Sequence, residues 1–193
     1  MKSRLTHEGE PIAADPEEIE DFWKWYGESV LVDAAGCPVT LYHGTPEIFE
    51  EFRIHDIGVH FGTLEQARHR GRSKSSDAGF RLIQAFIRLE NPLRTADAGC
   101  WFSANQTIEK IDRALKRLKA PPLPTFSGDR IERLAQAREE LTARGFDGLV
   151  YRNAVEGKGD SVIVFAQEQI RRAPSAVAGQ KNIQMPKREK WKP

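Results

Sequence analysis

Three consecutive residues with different chemistries, His43, Gly44 and Thr45, follow a short apolar run. The run predicts a buried strand at 39–42 that ends where these three residues begin. Because Gly44 has no Cβ, a flat ligand can lie directly against its backbone, whose N–H and C=O can bind a carboxamide. The imidazole and the hydroxyl beside it can reach neighbouring hydroxyl groups. The segment is a candidate ligand site, although a strand that ends in a turn also produces these residues by chance.

A second candidate segment, at 58–63, predicts a short strand that carries His60 and Phe61. Thr63 is a suitable cap for the helix that follows, and that helix includes His69. His60 is equally consistent with a packed core histidine, and His69 with an exposed helix residue. A polar, glycine-bounded loop at 71–79 comes next, and it either covers a site or simply connects two elements.

The third candidate segment is a hairpin-like loop at 152–159 that carries Glu156. Asp160 and Ser161 follow it and open an apolar strand. Both acids are candidates for catalysis. The ordinary alternatives are a loop carboxylate for Glu156 and a turn residue for Asp160, since Gly-Asp-Ser favours turns.

Apolar periodicity predicts an irregular series of strands and helices around these segments. Strands are predicted at 29–33, 39–42, 57–63, 80–89, 146–151 and 160–165, with an edge segment at 168–170. Helices are predicted at 16–26, 64–70, 104–119 and 128–144, with Asp15 capping the first and Ser127 the last. Because strands and helices do not alternate regularly, the order favours an α+β fold with an antiparallel or mixed sheet.

Composition describes an ordinary globular chain of 193 residues, 39% of them hydrophobic, with a net charge of +1. This length suits one domain with a proper core. The sequence contains no apolar run long enough for a membrane span and no apolar leader, so a cytoplasmic location without a membrane partner is expected. Cys37 and Cys100 lie far apart and in no metal spacing, which indicates a reducing compartment and no disulfide framework.

Charge and composition suggest three regions. Residues 1–14 are polar and are expected to be flexible, residues 15–172 to form the domain, and residues 173–193 to form a mobile basic tail. The tail either aids solubility or contacts a nucleic acid or another partner.

Read together, the segments resemble the ADP-ribosyltransferase superfamily. The resemblance rests on three ordered blocks, at 42–45, 58–67 and 156–165. A wider pattern is similar to the ADP-ribosyltransferase-like domains of polyvalent proteins from phages and mobile elements. It begins at Phe22-Trp23-Lys24-Trp25-Tyr26-Gly27 and ends with Asn153, Glu156 and Gly159-Asp160-Ser161. The resemblance covers about residues 19–172 and implies split antiparallel or mixed sheets with flanking helices.

The resemblance also implies NAD as substrate. His43 would bond a ribose, Gly44 would bind the nicotinamide amide, and Thr45 would support them. His60 and Phe61 stand where the family often has an aromatic residue that packs on nicotinamide, and His69 falls where a stacking Tyr can occur. The full set of implied NAD contacts is Tyr42, His43, Gly44, Thr45, His60, Phe61, His69 and Ser161.

Glu156 or Asp160 would supply the family's acid, which bonds a ribose hydroxyl and stabilises an oxocarbenium-like transition state. The residue types fit this chemistry, because a carboxylate stabilises the positive charge that develops as an N-glycosidic bond breaks. NAD already has a good leaving group, so no metal is required. Arg53 and Arg72 are candidates to meet the pyrophosphate.

The implied function is cleavage of NAD at nicotinamide and transfer of ADP-ribose to a macromolecule, with a protein favoured over nucleic acid as acceptor. Hydrolysis of NAD and an NAD-dependent RNA 2′-phosphotransferase activity are alternatives on the same fold. A non-catalytic NAD-binding or interaction module of a phage or mobile element is an alternative from a different class.

Overall fold

The computed structural model describes residues 2–74 and 80–174, and it describes the side chains of all of these except 71–74. The helices are α1 (Pro16–Tyr26), α2 (Leu64–Lys74), α3 (Ala104–Arg117) and α4 (Arg130–Ala143). The strands are β1 (Thr40–Thr45), β2 (Val59–Phe61), β3 (Arg81–Ile87), β4 (Leu93–Ala96), β5 (Gly148–Arg152), β6 (Asp160–Val164) and β7 (Ile170–Arg172). Within these ranges no helix is long and apolar enough to cross a membrane.

The strands form two sheets, one of order β1-β3-β7 and one of order β2-β6-β5-β4. Neighbouring strands are antiparallel except for β4 and β5, which are parallel. A backbone bridge joins the sheets: the Tyr42 N–H donates to the Gly62 carbonyl at 2.8 Å, and the Gly62 N–H donates back at 3.0 Å. The predicted α+β class, with split antiparallel and mixed sheets and flanking helices, is confirmed.

Residues on β5 and β6 alternate between two cores, so both faces of the second sheet are covered. Val150 and Val162 join the core that contains α1 and the first sheet. Leu149 and Ile163 join the core beneath α3 and α4. Burial of each such side chain contributes about 1.5–3 kcal/mol, so the strand edges that lead to the candidate site are held on both sides.

Side-chain caps fix the helix starts. The Asp15 carboxylate accepts the Glu17 N–H at 2.7 Å, as the sequence indicates. The predicted cap at Ser127 is wrong: Asp129 caps α4 and forms a reciprocal capping box with Glu132. The intervening Gly128 has a φ of 99°, a conformation that cannot continue into a helix, so the helix begins after it.

The strand predicted at 39–42 extends further than expected. β1 runs through Thr45, which lies opposite Arg81 of β3. The residues His43, Gly44 and Thr45 are therefore inside the strand, and the prediction that they follow its end is wrong. Pairing with a long partner strand overrides the local signal of a glycine and a hydroxyl residue.

The strand predicted at 29–33 does not form. Only an isolated bridge links Val32 to Pro38 in this part of the described chain. The Asp33 carboxylate accepts the backbone N–H groups of Ala35 and Cys37, each at 2.8 Å. This local turn takes the donors that a longer ladder would need.

Strand β4 was not predicted, because it is only four residues long and follows Pro92, which indicates a strand end. The chain before α1 is packed at defined points: Thr6 is 4% exposed, Ile12 is 2% exposed, and Leu5 bridges to Pro11. The domain boundaries remain a prediction. Most of the predicted tail, at 175–193, and most of the predicted loop, at 75–79, lie outside the described residues.

Candidate active site

Strand β1 carries Gly44 to an open sheet edge. Both backbone groups of Tyr42 bond Gly62, on the side of β1 that faces away from β3. Backbone groups two residues apart on a strand point to the same side. The N–H and C=O of Gly44 are therefore directed to that side as well, one step beyond the bridge, where a carboxamide can meet them.

The imidazole of His43 is held by a backbone acceptor and by aromatic packing. Its Nδ1 lies 2.8 Å from the His60 carbonyl. A carbonyl can only accept, so Nδ1 carries the proton and Nε2 is the acceptor of the neutral ring. The ring meets Phe52 edge-on at 5.3 Å and lies 5.6 Å from Phe61. His43 therefore connects β1 to β2 with a fixed tautomer.

A small cavity brings the three candidate segments together. Its wall includes Gly44 from the first segment, His60 from the second and Glu156 from the third. Within the described residues, the wall consists of Tyr42, Gly44, His60, Phe61, Gly62, Gln66, Ala67, Arg70, Tyr151, Glu156 and Ser161. It encloses about 10 Å³, roughly the space that one water molecule requires. A planar ring therefore enters only when part of the wall moves.

Glu156 is held at this wall by its own loop and by α2. Its carboxylate accepts the Asn153 amide at 3.0 Å and lies 3.6 Å from the Arg70 guanidinium. The Asn153 side-chain oxygen in turn accepts the backbone N–H groups of Val155 and Glu156, at 3.0 and 2.8 Å. The Glu156 side chain is 20% exposed. It is therefore positioned, and a ligand can reach it.

Gln66 clamps the same loop from α2 and is 1% exposed. Its amide nitrogen donates to the carbonyls of Gly157, Lys158 and Gly159 at 3.2–3.4 Å. Its amide oxygen accepts the Thr63 N–H at 2.8 Å. One buried side chain thus links the start of α2 to the loop that carries the acid.

Asp160, the second candidate acid, is bound elsewhere. Its carboxylate lies 2.5 Å from the Arg94 guanidinium of β4 and is 12% exposed. Asp160 opens β6 opposite Arg152. It is not among the described residues that line the small cavity. The ion pair reaches across β5, because Arg94 lies on β4 and Asp160 on β6, and it is a structural use of this carboxylate.

The sequence matches the family model of the ADP-ribosyltransferase in polyvalent proteins over residues 33–178. The chain belongs to this family. The matched stretch contains all three segments at the small cavity, and the resemblance drawn from the sequence is confirmed. ADP-ribosyltransferases use NAD as their substrate, and polyvalent proteins belong to phages and mobile elements.

A search among curated proteins finds no match to this ADP-ribosyltransferase domain. A search among solved structures finds a similar chain described as "Crystal structure of an anti-CRISPR protein". The two chains are 13% identical, with a TM-score of 0.35, and the alignment covers 69% of this chain and 93% of that chain.

The second segment of the ADP-ribosyltransferase domain is packed among aromatic side chains. His60 Nδ1 lies 3.2 Å from the Tyr151 hydroxyl, and its ring lies edge-on to Trp101 at 5.6 Å. Burial raises the pKa of the Tyr151 phenol, which therefore stays neutral near pH 7. Phe61 is 1% exposed and belongs to the core. His60 and Phe61 thus both line the small cavity with Glu156, and both are held by packing.

Three other predicted contact residues lie at different depths. Ser161 is buried, accepts the Asn153 amide and donates to Gln66, each at 3.0 Å. Thr45 is buried, and its hydroxyl accepts the Glu47 N–H at 3.1 Å. His69 is exposed on α2 and is not part of the small cavity's wall. Their roles toward NAD remain predictions.

A much larger cavity, of about 940 Å³, opens on the other side of His43. Its wall includes Thr45, Phe49, Phe52 and Arg53. Arg53 thus lies near the first segment, as a pyrophosphate ligand would. The side chain of Arg72 lies outside the described residues.

Gln66, Arg70 and Tyr151 are the site residues that sequence reasoning missed. Gln66 and Arg70 are four residues apart and share a helix face beginning at the predicted cap, but this spacing alone does not show that the face meets the site. Tyr151 sits opposite Ser161 on neighbouring strands. Among the described residues, no group of three or more His, Cys, Asp or Glu side chains could hold a metal ion.

Proposed function

We propose that this domain binds NAD, releases nicotinamide and transfers ADP-ribose to a macromolecular acceptor. One observation carries the proposal: Gly44, His60 and Glu156, from three separate segments, share the wall of one small cavity. Membership of the ADP-ribosyltransferase family supports the same reading.

The open backbone edge at Gly44 receives the nicotinamide carboxamide, whose NH2 group donates to the strand's C=O and whose carbonyl accepts the strand's N–H. The Nε2 atom of His43 accepts a hydrogen bond from a ribose hydroxyl. The ADP part of NAD extends into the large cavity beyond His43, where Arg53 supplies a positive charge for the pyrophosphate.

Glu156 is the acid in this proposal. When the bond between ribose and nicotinamide breaks, its electron pair leaves with the nicotinamide, which becomes neutral. Positive charge develops on the ribose, and the fixed Glu156 carboxylate stabilises that charge more than it stabilises bound NAD. The acceptor then forms a bond to the anomeric carbon and gives up its proton to Glu156 or to water.

The Asn153 amide supports this role because it bonds the carboxylate at 3.0 Å and restricts its rotation. Arg70 forms the opposite wall, 3.6 Å from the same carboxylate. The Arg70 side chain is 15% exposed, and a long side chain changes rotamer more readily than a strand moves. Arg70 is therefore the part of the wall that admits the nicotinamide ring.

A non-catalytic NAD-binding module is the second candidate function. It is favoured by the packing of His60 against Trp101 and Tyr151 and by the burial of Phe61 in the core. These contacts restrain both aromatic rings that β2 contributes to the cavity wall. NAD binding without release of nicotinamide would support this alternative.

The test is release of nicotinamide from labelled NAD by the wild type, Glu156→Gln and Asp160→Asn. Loss of a fixed transition-state charge lowers the rate by about 100-fold or more, which we expect for Glu156→Gln. Asp160→Asn keeps an acceptor for Arg94 and should stay within about tenfold of the wild type. A large loss of nicotinamide release in Asp160→Asn but not in Glu156→Gln would assign the catalytic acid to Asp160. Equal rates of release in the wild type and both variants would contradict the mechanism.

A further inference from the structure

Glu156 also lines a second cavity, which encloses about 170 Å³. Arg70, Tyr151 and Glu156 belong to the walls of both this cavity and the small one at Gly44. The two spaces therefore adjoin each other at these three side chains. A group that enters the second cavity reaches Glu156 from a space that Gly44 does not line.

The mouth of this cavity is apolar and exposed. Phe102 is 51% exposed and Val155 is 59% exposed, and both line the cavity. They are two of the few large hydrophobic side chains that the described chain leaves open to solvent. Neighbouring exposed apolar side chains at a cavity mouth are typical of a protein-binding surface.

Asp97 makes this mouth rigid. One of its carboxylate oxygens accepts the Gly99 N–H at 2.8 Å and the Trp101 indole N–H at 3.1 Å. The other accepts the Ala154 N–H at 2.9 Å. The turn that carries Phe102 and the loop that carries Val155 and Glu156 are therefore joined through one carboxylate, as a preformed binding surface requires.

We propose that Phe102 and Val155 form a docking surface for a protein acceptor, one side chain of which enters the cavity to meet Glu156. This inference rests on the proposed transfer of ADP-ribose and names its acceptor class. The volume of about 170 Å³ is below the roughly 300 Å³ at which small-molecule sites begin, and it suits a single amino-acid side chain.

The contacts at Phe102 favour a protein over a nucleic acid. The Arg130 guanidinium lies over the Phe102 ring, 5.3 Å from its centroid. It occupies a face on which a base would otherwise stack. The mouth therefore combines apolar surface with a fixed positive charge, and its complement is a protein surface with an apolar residue beside an acidic one.

The test compares Phe102→Asp and Val155→Asp with the wild type. Labelled NAD is supplied with a bacterial lysate, and the label is divided into protease-sensitive and nuclease-sensitive material. Nicotinamide release in buffer without lysate is measured in parallel. Leu5→Asp is the matched control, because Leu5 is also an exposed apolar residue, at 46%, but lies in the N-terminal segment.

We expect both test variants to lose protein labelling by about tenfold or more, the cost of a charge placed in a hydrophobic contact, while their nicotinamide release stays close to that of the wild type. Leu5→Asp should keep both activities. Unchanged protein labelling in Phe102→Asp and Val155→Asp, label on nucleic acid, or release without any labelled macromolecule would each overturn the docking surface. Absence of nicotinamide release from the wild type would instead refute the proposed function on which it rests.

Discussion

The side-chain oxygen of Gln66 accepts the hydroxyl of Ser161 at 3.0 Å, and this bond joins the helix after β2 to the strand after the Glu156 loop. Both residues are buried, at 1% and 2% exposed. This bond, together with the bonds from Gln66 to the carbonyls of the loop, positions the candidate acid Glu156. Among the hydrogen bonds of the described residues, none joins Gln66 to Glu156 directly. Three predictions follow from the surroundings of this pair and of the buried tyrosines.

Gln66→Ala should weaken both the fold and the site. The substitution leaves the Thr63 N–H and the Ser161 hydroxyl without their partner and frees the loop at 157–159. Each buried group left unpaired costs about 1–3 kcal/mol, and each kcal/mol lowers Tm by about 2–4 °C in a domain of this size. Thermal unfolding followed by circular dichroism gives the Tm, and nicotinamide release should fall as well.

Gln106→Ala is the matched control, because Gln106 is an exposed glutamine on α3. It should leave both Tm and release near the wild-type values. A Gln66→Ala protein with normal release would show that the loop holds Glu156 without the clamp.

Gly62→Ala should disturb the same clamp by steric contact. A Cβ at position 62 would lie 2.3 Å from the side-chain oxygen of Gln66 and 3.1 Å from the Ser161 hydroxyl. Overpacking of this kind costs about 1–3 kcal/mol. In a Gln66→Ala background the contact with the side-chain oxygen is absent, and the looser contacts with the Ser161 hydroxyl and the Cβ of residue 66 remain. The alanine at position 62 should therefore cost less.

The measurement is a double-mutant cycle from urea unfolding of the wild type, the two single variants and the double variant. We expect a coupling free energy of at least about 0.5 kcal/mol. Strict additivity would mean that the alanine is accommodated by a movement of β2, and Gln66 would then not determine the need for glycine.

The chain's three tyrosines should resist ionisation while it is folded. Burial raises the pKa of Tyr26 and Tyr151, and burial together with the nearby Glu8 carboxylate raises that of Tyr42 to about 12. The tyrosines of an unfolded chain ionise with a pKa of about 10. At that pH the folded protein should therefore show little absorbance from tyrosinate. The same titration in guanidinium chloride is the control.

These shifts have a consequence for stability. Each folded pKa lies above its unfolded value, so the stabilisation is fully present below pH of about 10 and is lost as the pH rises through the folded pKa. Urea unfolding at increasing pH should show this loss. Tyrosinate absorbance rising with a midpoint near 10 in the folded protein would contradict the burial of all three side chains.

Much of the architecture could be predicted from the sequence, because apolar periodicity and caps such as Asp15 determine it locally. The meeting of Gly44, His60 and Glu156 was also expected, but on the resemblance and not on periodicity. The predictions that were wrong concern positions whose structure depends on residues distant in the sequence. β1 continues through Thr45 because β3 pairs with it, and no local pattern reveals that length.

The clamp was missed for a related reason. Gln66 is polar, and a polar residue in the first turn of a helix usually faces solvent. Its burial arises from three backbone carbonyls about ninety residues further along the chain, and a single sequence gives no sign of that contact. Arg70 could have been proposed from its spacing to Gln66, but only once Gln66 was known to face the site.

The three carbonyls held by Gln66 also bear on the entropy of binding. Fixing the backbone of one residue costs about 1–2 kcal/mol. When a catalytic loop becomes ordered only on contact with substrate, this cost reduces the binding free energy of the substrate. In this chain the loop at 157–159 is ordered by a side chain of the same domain. Its ordering therefore takes place during folding, and the interaction of a ligand with Glu156 is not reduced by it.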